Sequence, residues 1–247
     1  MARRATKIAD ERKAGKPVLV LDAGNSLTGD RDPALKSKGA SSIEAMNLLG
    51  YDAMALGPAD LQLGPATLHN RISEARFPIL SANAIERATG DLLAEPYTVR
   101  EMGGHRVAIV GLSGTGDTGE ITVRDPLSAA REAVAEASAQ ADVIILLSNA
   151  GPAVDQQIAN ELTGVTAIVE GGSGASARAW VSDRTKTPIF HADEAGPGHA
   201  GRILGVGTLA IDGGGDLLDY TWKQFSLGPA VPDDAAMAAW VETQTGG

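Results

Sequence analysis

The stretch Lys16-Pro17-Val18-Leu19-Val20-Leu21-Asp22-Ala23-Gly24-Asn25-Ser26-Leu27 determines how the rest of the chain is interpreted. Four consecutive apolar residues follow a proline and end at a glycine turn, a pattern typical of a strand buried on both faces. Such a strand is usually central in an α/β sheet, and ligands usually bind at the turn beyond its carboxyl end. We therefore expect a central strand here and a functional loop around Asn25.

Strand and helix patterns alternate along most of the chain. Cap and proline signals beside apolar stripes predict helices at 5–13, 33–49, 65–75, 125–140, 152–162 and 233–242. Short apolar runs predict strands at 53–56, 77–81, 143–147, 166–169 and 188–191, and turn signals predict hairpins over 97–112 and 202–225. This order predicts one α/β domain with mixed sheets.

Composition limits the classes of function. The chain has 247 residues, of which 43% are of hydrophobic type, and its net charge is 21 − 31 = −10. That acidity argues against sequence-independent binding to nucleic acid or to an anionic membrane, since both require basic patches. No cysteine is available for a disulfide or a thiolate ligand. No apolar run reaches the roughly 18 residues of a membrane span, and no apolar segment of an export signal follows the basic start.

Several segments carry a family resemblance when they are taken in order. They are the opening strand with its Leu-Asp-Ala-Gly-Asn turn, Ile43–Asp52, Phe77–Asn83, Pro96-Tyr97 and Gly104–Gly111. These segments resemble LLDAGD, mNaLGYDa, FPvLsAN and PY…gvkVavIGl of the metallophosphoesterases in the 5′-nucleotidase and 2′,3′-cyclic phosphodiesterase family. The resemblance extends over nearly the whole chain.

The resemblance implies an α/β (α+β) fold, a four-layer α-β-β-α sandwich of two mixed sheets. It implies a metallophosphoesterase-like domain over residues 1–230, with 231–247 as a C-terminal helix or linker. We find no counterpart of the family's opening strand, nDlHG, or of its C-terminal nucleotide-binding domain. Family members are mostly periplasmic or extracellular, so the resemblance implies that location, although the sequence carries no export signal.

The family's metal-binding motifs align with residues of different chemistry. GNHEFDyG aligns with Gly57–Gly64, lSHlG with Leu147–Gly151, and GHsH with Gly172–Ala175. The positions that the resemblance assigns to the metal centre hold Asn25, Pro58, Ala59, Asn149, Ser173 and Ala175. A two-metal hydrolase needs a bridging carboxylate and several imidazole or carboxylate ligands, and none stands at these positions.

We therefore predict a degenerate family domain without catalytic or metal-binding residues, which acts as a binding or structural module. The alternative is an active metal-dependent phosphoester or nucleotide hydrolase with a relocated or incomplete centre for Mn, Zn, Mg or Ca. A protein partner or a larger assembly fits either interpretation, and its identity stays open.

Other candidate sites are weaker. One candidate is a glycine-rich loop whose backbone N–H groups could bind an anion. It consists of Gly171, Gly172, Ser173 and Gly174. A hard cation such as Ca²⁺ or Mg²⁺ would need carboxylate ligands near the positions assigned to the family's metal centre. The candidate ligands are Asp22, Asp60, Glu170, Asp193 and Glu194. Gly114–Gly119 matches G-x-G-x-x-G, but no helix is predicted to begin inside it, which favours a surface loop over a dinucleotide site. None of the four histidines, His69, His105, His191 and His199, aligns with a ligand position.

Overall fold

The computed structural model describes residues 1–28, 33–116, 118–172, 179–192 and 201–245. The helices of this part of the chain are α1 (Ala2–Lys13), α2 (Ala40–Leu49), α3 (Pro58–Leu61), α4 (Pro65–Glu74), α5 (Pro126–Ser138), α6 (Pro152–Glu161) and α7 (Ala235–Thr245). The strands are β1 (Leu21–Asp22), β2 (Ala53–Ala55), β3 (Ile79–Leu80), β4 (Ala84–Glu86), β5 (Tyr97–Met102), β6 (His105–Leu112), β7 (Ile121–Val123), β8 (Val143–Ser148), β9 (Ala167–Glu170), β10 (Trp180–Val181), β11 (Pro188–His191), β12 (Ile203–Ile211) and β13 (Leu217–Ser226).

Two sheets form the centre of the molecule. The smaller has the order β1-β2-β3 and is parallel throughout its described strands. The larger has the order β10-β11-β9-β8-β6-β5, with antiparallel strands at both edges and parallel pairs between them. Two-stranded ribbons, β4-β7 and β12-β13, complete the strands.

Three apolar cores lie between successive layers. Ala53 and Ala55 of the small sheet share a core with Ile109 and Ile145 of the large sheet, so the two sheets pack face to face. A second core joins the outer face of the small sheet to α2 and α4, and a third joins the outer face of the large sheet to α5 and α6. The molecule is therefore the four-layer helix–sheet–sheet–helix sandwich that the family resemblance implies.

The opening strand differs from the prediction. Val18 and Val20 contribute to the outer core while Leu19 and Leu21 contribute to the core between the sheets, so both faces are covered as expected. The strand nevertheless lies at the edge of the described small sheet, and only β2 pairs with it. Its central position was therefore predicted wrongly.

Other differences are local. The helix predicted from residue 33 begins at Ala40, because the backbone at Lys38 is left-handed (φ 49°) and interrupts the helical path. The short elements α3, β4, β7 and β10 had no predicted counterpart.

The C-terminal helix α7 packs against α1 and contributes Met237 to the outer core of the small sheet. Asp234 caps this helix by accepting a hydrogen bond from the Met237 backbone N–H (2.8 Å), as the Asp233-Asp234 pair indicates. None of the described helices combines the length and apolar character that crossing a bilayer requires.

Candidate functional site

Loops from both sheets meet at the carboxyl ends of their parallel strands. The loop after β1 carries Asn25, the loop after β2 carries Pro58 and Ala59, and the loop after β8 carries Asn149. The sequence places its metal-centre positions at these strand ends, and the four that lie in described residues are close together in the structure.

Two asparagine side chains connect these loops. Asn25 Nδ2 donates to Asn149 Oδ1 (3.2 Å), while Asn25 Oδ1 accepts from the Ala59 backbone N–H (2.8 Å). Asn149 Nδ2 in turn donates to the Ala23 carbonyl (2.7 Å). We call this set of contacts the amide network. Each side-chain amide in it uses its oxygen as an acceptor and its nitrogen as a donor, so both are satisfied without an ion.

Backbone packs tightly around the amide network. A Cβ atom on Gly57 would lie 2.3 Å from Asn25 Oδ1, and one on Gly171 would lie 2.7 Å from both the Ala23 carbonyl oxygen and Asn149 Nδ2. Only glycine fits at these two positions. The loops therefore approach one another through backbone, and little room is left between them.

The Asp60 carboxylate connects the β1 and β2 loops by accepting hydrogen bonds from their backbone. Its Oδ2 accepts from the backbone N–H groups of Asn25 (2.7 Å) and Gly57 (2.9 Å), and its Oδ1 accepts from Leu27 (2.9 Å). The side chain is fully buried. Burial raises the pKa of Asp60 to about 7, although the three N–H donors act in the opposite direction. Asp60 is thus the hydrogen-bonding centre of the β1 and β2 loops.

A buried acidic cluster lies directly behind Asn149. Ser148, Glu170 and His191 are aligned across β8, β9 and β11 by the register of these strands. Ser148 Oγ donates a short hydrogen bond (2.5 Å) to Asp155 Oδ1 in the first turn of α6, and Glu170 Oε1 lies 3.7 Å from His191 Nδ1. All four are buried. Burial raises the pKa of Asp155 to about 7, and the negative charge of Glu170 contributes to the rise.

The described residues do not fit the family's pair of metal ions. Pro58 and Ala59 offer no side-chain donor atoms, and both amide oxygens of the network already accept hydrogen bonds. Within the described ranges, no group of three or more His, Cys, Asp or Glu side chains is arranged to hold a metal ion. Ser173 and Ala175, the two other predicted positions, lie outside the described residues.

The acids proposed for a hard cation have other partners. Asp22 Oδ1 accepts from the Gly24 backbone N–H (2.9 Å) and from Ser26 Oγ (2.8 Å), and burial raises its pKa. Asp60 is committed to three backbone N–H groups, and Glu170 faces His191. Asp193 and Glu194 lie outside the described residues. The three described acids therefore do not converge on one cation.

The proposed anion-binding loop is described only at its start. The Gly171 backbone N–H donates to the Ser148 carbonyl (2.8 Å), so this group is already used within the sheet. Ser173 and Gly174 lie outside the described residues, and anion binding at this loop stays a prediction.

The glycine-rich segment 114–119 contains no helix in its described residues. It connects β6 to β7, and α5 begins only at Pro126, as the sequence indicates. Two of the histidines form pairs elsewhere: His69 Nε2 lies 2.5 Å from Glu86 Oε1, and His105 Nδ1 lies 2.9 Å from Asp142 Oδ2. His199 is outside the described residues.

Sequence patterns did not indicate the pairing between Ser148 and Asp155. Asp155 stands in the first turn of a helix, where an acid normally faces solvent and favours the positive end of the helix dipole. Its burial follows from the docking of α6 onto the large sheet, which is a tertiary contact that the local pattern does not contain.

Comparison with known proteins supports one family. A snake venom 5′-nucleotidase of Gloydius brevicauda is 36% identical over 186 residues, which cover 69% of this chain and 31% of that protein. A solved 5′-nucleotidase precursor from Thermus thermophilus has a TM-score of 0.85 at 28% identity and covers 99% of this chain and 52% of its own. A calcineurin-like phosphoesterase of Bacillus subtilis, YfkN, shares the fold with a TM-score of 0.78 at 21% identity, covering 99% of this chain and 87% of its own. No model of a protein family matches the chain.

The four layers and the loops at the strand ends define a metallophosphoesterase-like domain of the calcineurin type. Within that class, the chain belongs to the 5′-nucleotidase family. It spans about a third of the length of the curated venom relative.

Proposed function

We propose that this domain has lost the phosphoesterase chemistry of its family and acts as a binding or structural module. The observation that carries the proposal is the amide network. Asn25 and Asn149, at two positions that the resemblance assigns to metal ligands, bind each other and the neighbouring backbone. A neutral amide pair does not offset two dications, and it provides no base to ionise a bound water.

The loss of ligands is also repeated from one motif to the next. A single changed ligand weakens a metal site, whereas the described metal-centre positions together hold two neutral amides, a proline and an alanine. Imidazole and carboxylate groups, on which binding of a transition metal depends, are missing from all four of these positions. The absence of such ligands at all four positions supports a module that keeps the family's fold without its metal centre.

A module of this kind needs a partner, and we propose a protein partner or a larger assembly. The acidic balance of the chain disfavours nucleic acid. We also propose that the domain acts in the periplasm or outside the cell. The support for that location is the similarity to a venom protein, since venom is a secreted fluid.

The proposal is tested by metal content and turnover of the purified chain. After removal of metal, the protein is offered Mn²⁺, Zn²⁺ or Co²⁺ and assayed with a nucleoside monophosphate and with bis(p-nitrophenyl) phosphate. We expect less than one bound ion per chain by elemental analysis and no turnover above that of an Asn149→Ala variant.

Two outcomes would contradict the proposal. Turnover that EDTA abolishes and that falls in the Asn149→Ala variant would show a working centre at the family position. Metal-dependent turnover that is unchanged by Asn149→Ala would instead indicate a relocated centre, which is the alternative hydrolase hypothesis.

A further inference from the structure

The acidic cluster behind Asn149 has no part in the proposed function, yet its geometry is unusual. Ser148, Glu170 and His191 are buried at the ends of three adjacent strands, and a second buried carboxyl group, that of Asp155, reaches them from the first turn of α6. Asp155 Oδ1 accepts the Ser148 hydroxyl, whereas neither Asp155 Oδ2 nor Glu170 Oε1 has a hydrogen-bond partner among the described residues. Buried carboxylate oxygens normally have donors, because an unpaired charge in the interior is costly.

The surroundings of Asp155 favour its protonated form. Burial and the negative charge of Glu170 raise the pKa of Asp155 to about 7, although the hydrogen bond from Ser148 and the charge of His191 act in the opposite direction. Loss of this proton places a second buried negative charge near Glu170. Two further segments with charged groups pack against α6, both towards its C-terminal end and away from Asp155. Arg131 of α5 pairs with Glu161, and the turn at 182–186, which carries Asp183, Arg184 and Lys186, binds Asn160 and the Ala159 carbonyl.

The cluster is connected directly to the turn that carries Asn149. Ser148 Oγ, the donor to Asp155, also accepts from the Ala150 backbone N–H (3.1 Å). The Asp155 backbone N–H donates to the Gly151 carbonyl (3.0 Å) and so closes the first turn of α6. An ionised Asp155 reaches water only if this first turn moves outward, and that motion breaks both links to the turn at 148–151.

We propose that the cluster of Ser148, Asp155, Glu170 and His191 is a pH-sensitive lock on the turn at 148–151, closed while Asp155 holds a proton and loosened when the proton is lost. The lock requires no metal and no enzymatic activity, so it is independent of the proposed function. Because burial favours the protonated form of Asp155, opening of the turn becomes easier as pH rises from about 4 to about 7 and changes little above that range.

Hydrogen exchange measures this opening directly. We expect the protection factors of the Ala150 and Asp155 amides, corrected for intrinsic exchange, to fall at least about tenfold between pH 5 and pH 7.5. In an Asp155→Asn variant, which keeps an oxygen for Ser148 but carries no titratable group, the same amides should show no such fall. The amides of Leu27 and Gly57, which Asp60 holds, serve as the internal control and should behave alike in both proteins.

A second variant keeps the proposal testable if Asp155→Asn folds poorly. Ser148→Ala removes both the hydroxyl that binds Asp155 and the acceptor of the Ala150 N–H, so the Ala150 amide should lose its protection at pH 5 as well as at pH 7.5, and its pH dependence should disappear. The proposal is wrong if the unaltered protein shows no fall in protection at these amides, or if the fall is the same in either variant.

Discussion

The amide network and the acidic cluster differ in how completely their polar groups are satisfied, although Asn149 and Ser148 are adjacent in the chain. In the network, neutral side chains donate and accept in turn. In the cluster, buried carboxyl groups face each other and two of their oxygens lack hydrogen-bond donors in the described structure. The comparison indicates that neutral amides can satisfy one another where two loops meet, whereas buried acids stay sensitive to protonation.

The largest expected effect comes from removing the acceptor that supports the network. Asp60→Ala leaves three backbone N–H groups without their acceptor in a fully buried position. We expect a loss of about 3 kcal/mol or more in the free energy of unfolding, measured by urea denaturation at pH 7. Asp183→Ala, at an exposed position, is the control and should change stability by less than about 0.5 kcal/mol. A similar small loss for both variants would mean that Asp60 does not organise the loops.

The second largest effect is an increase in the free energy of unfolding, expected for Asp155→Asn. Burial raises the folded-state pKa of Asp155 to about 7, so the folded protein binds more protons than the unfolded chain between about pH 4 and pH 7. The stability contributed by protonated Asp155 is therefore complete below about pH 4 and is lost as pH rises through 7. Asp155→Asn should stabilise the protein by about 2 kcal/mol at pH 8 and by almost nothing at pH 4. Equal stability of the two proteins at pH 8 in urea would contradict this account.

A double-mutant cycle tests whether the two asparagines act together. Asn25→Gly suits the left-handed backbone at that position (φ 62°), and Asn149→Ala removes the partner amide. We expect the double variant to be less destabilised than the sum of the single variants, with a coupling energy of about 1 kcal/mol from urea denaturation. Additive losses would mean that the contact between the amides contributes nothing to stability.

The smallest effect is expected at the surface. His69 Nε2 lies 2.5 Å from Glu86 Oε1, and the histidine side chain is 55% exposed. Solvent screens such a pair, so Glu86→Gln should lower the free energy of unfolding by less than about 0.5 kcal/mol. Thermal denaturation in low and high salt provides the measurement, and a loss comparable to that of Asp60→Ala would show that exposure is a poor guide in this molecule.

Local signals predicted most of the secondary structure. Asp125 caps α5, as the Asp-Pro pair indicates, by accepting from the Ser128 backbone N–H (2.9 Å). The Gly103-Gly104 turn joins β5 to β6, and α2 ends at a left-handed Gly50. These features depend on a few consecutive residues, which is why sequence is sufficient for them.

Features that depend on distant contacts were not predictable. The edge position of β1 depends on which strand pairs with it, and the run Val18–Leu21 contains no information on that choice. For the site, family resemblance located Asn25 and Asn149, but the bond between them joins residues 124 positions apart. The burial of Asp155 depends likewise on where α6 docks.

The central claim is that the loops around Asn25 and Asn149 bind each other in place of a pair of cations. Crystals soaked in Mn²⁺ and measured near the manganese absorption edge test it most directly, because an anomalous difference map locates any bound ion. The account predicts no anomalous peak beside Asn25 and Asn149 and an intact hydrogen bond between the two amides. Two well-occupied manganese peaks between these side chains, with the amides turned toward them, would contradict it.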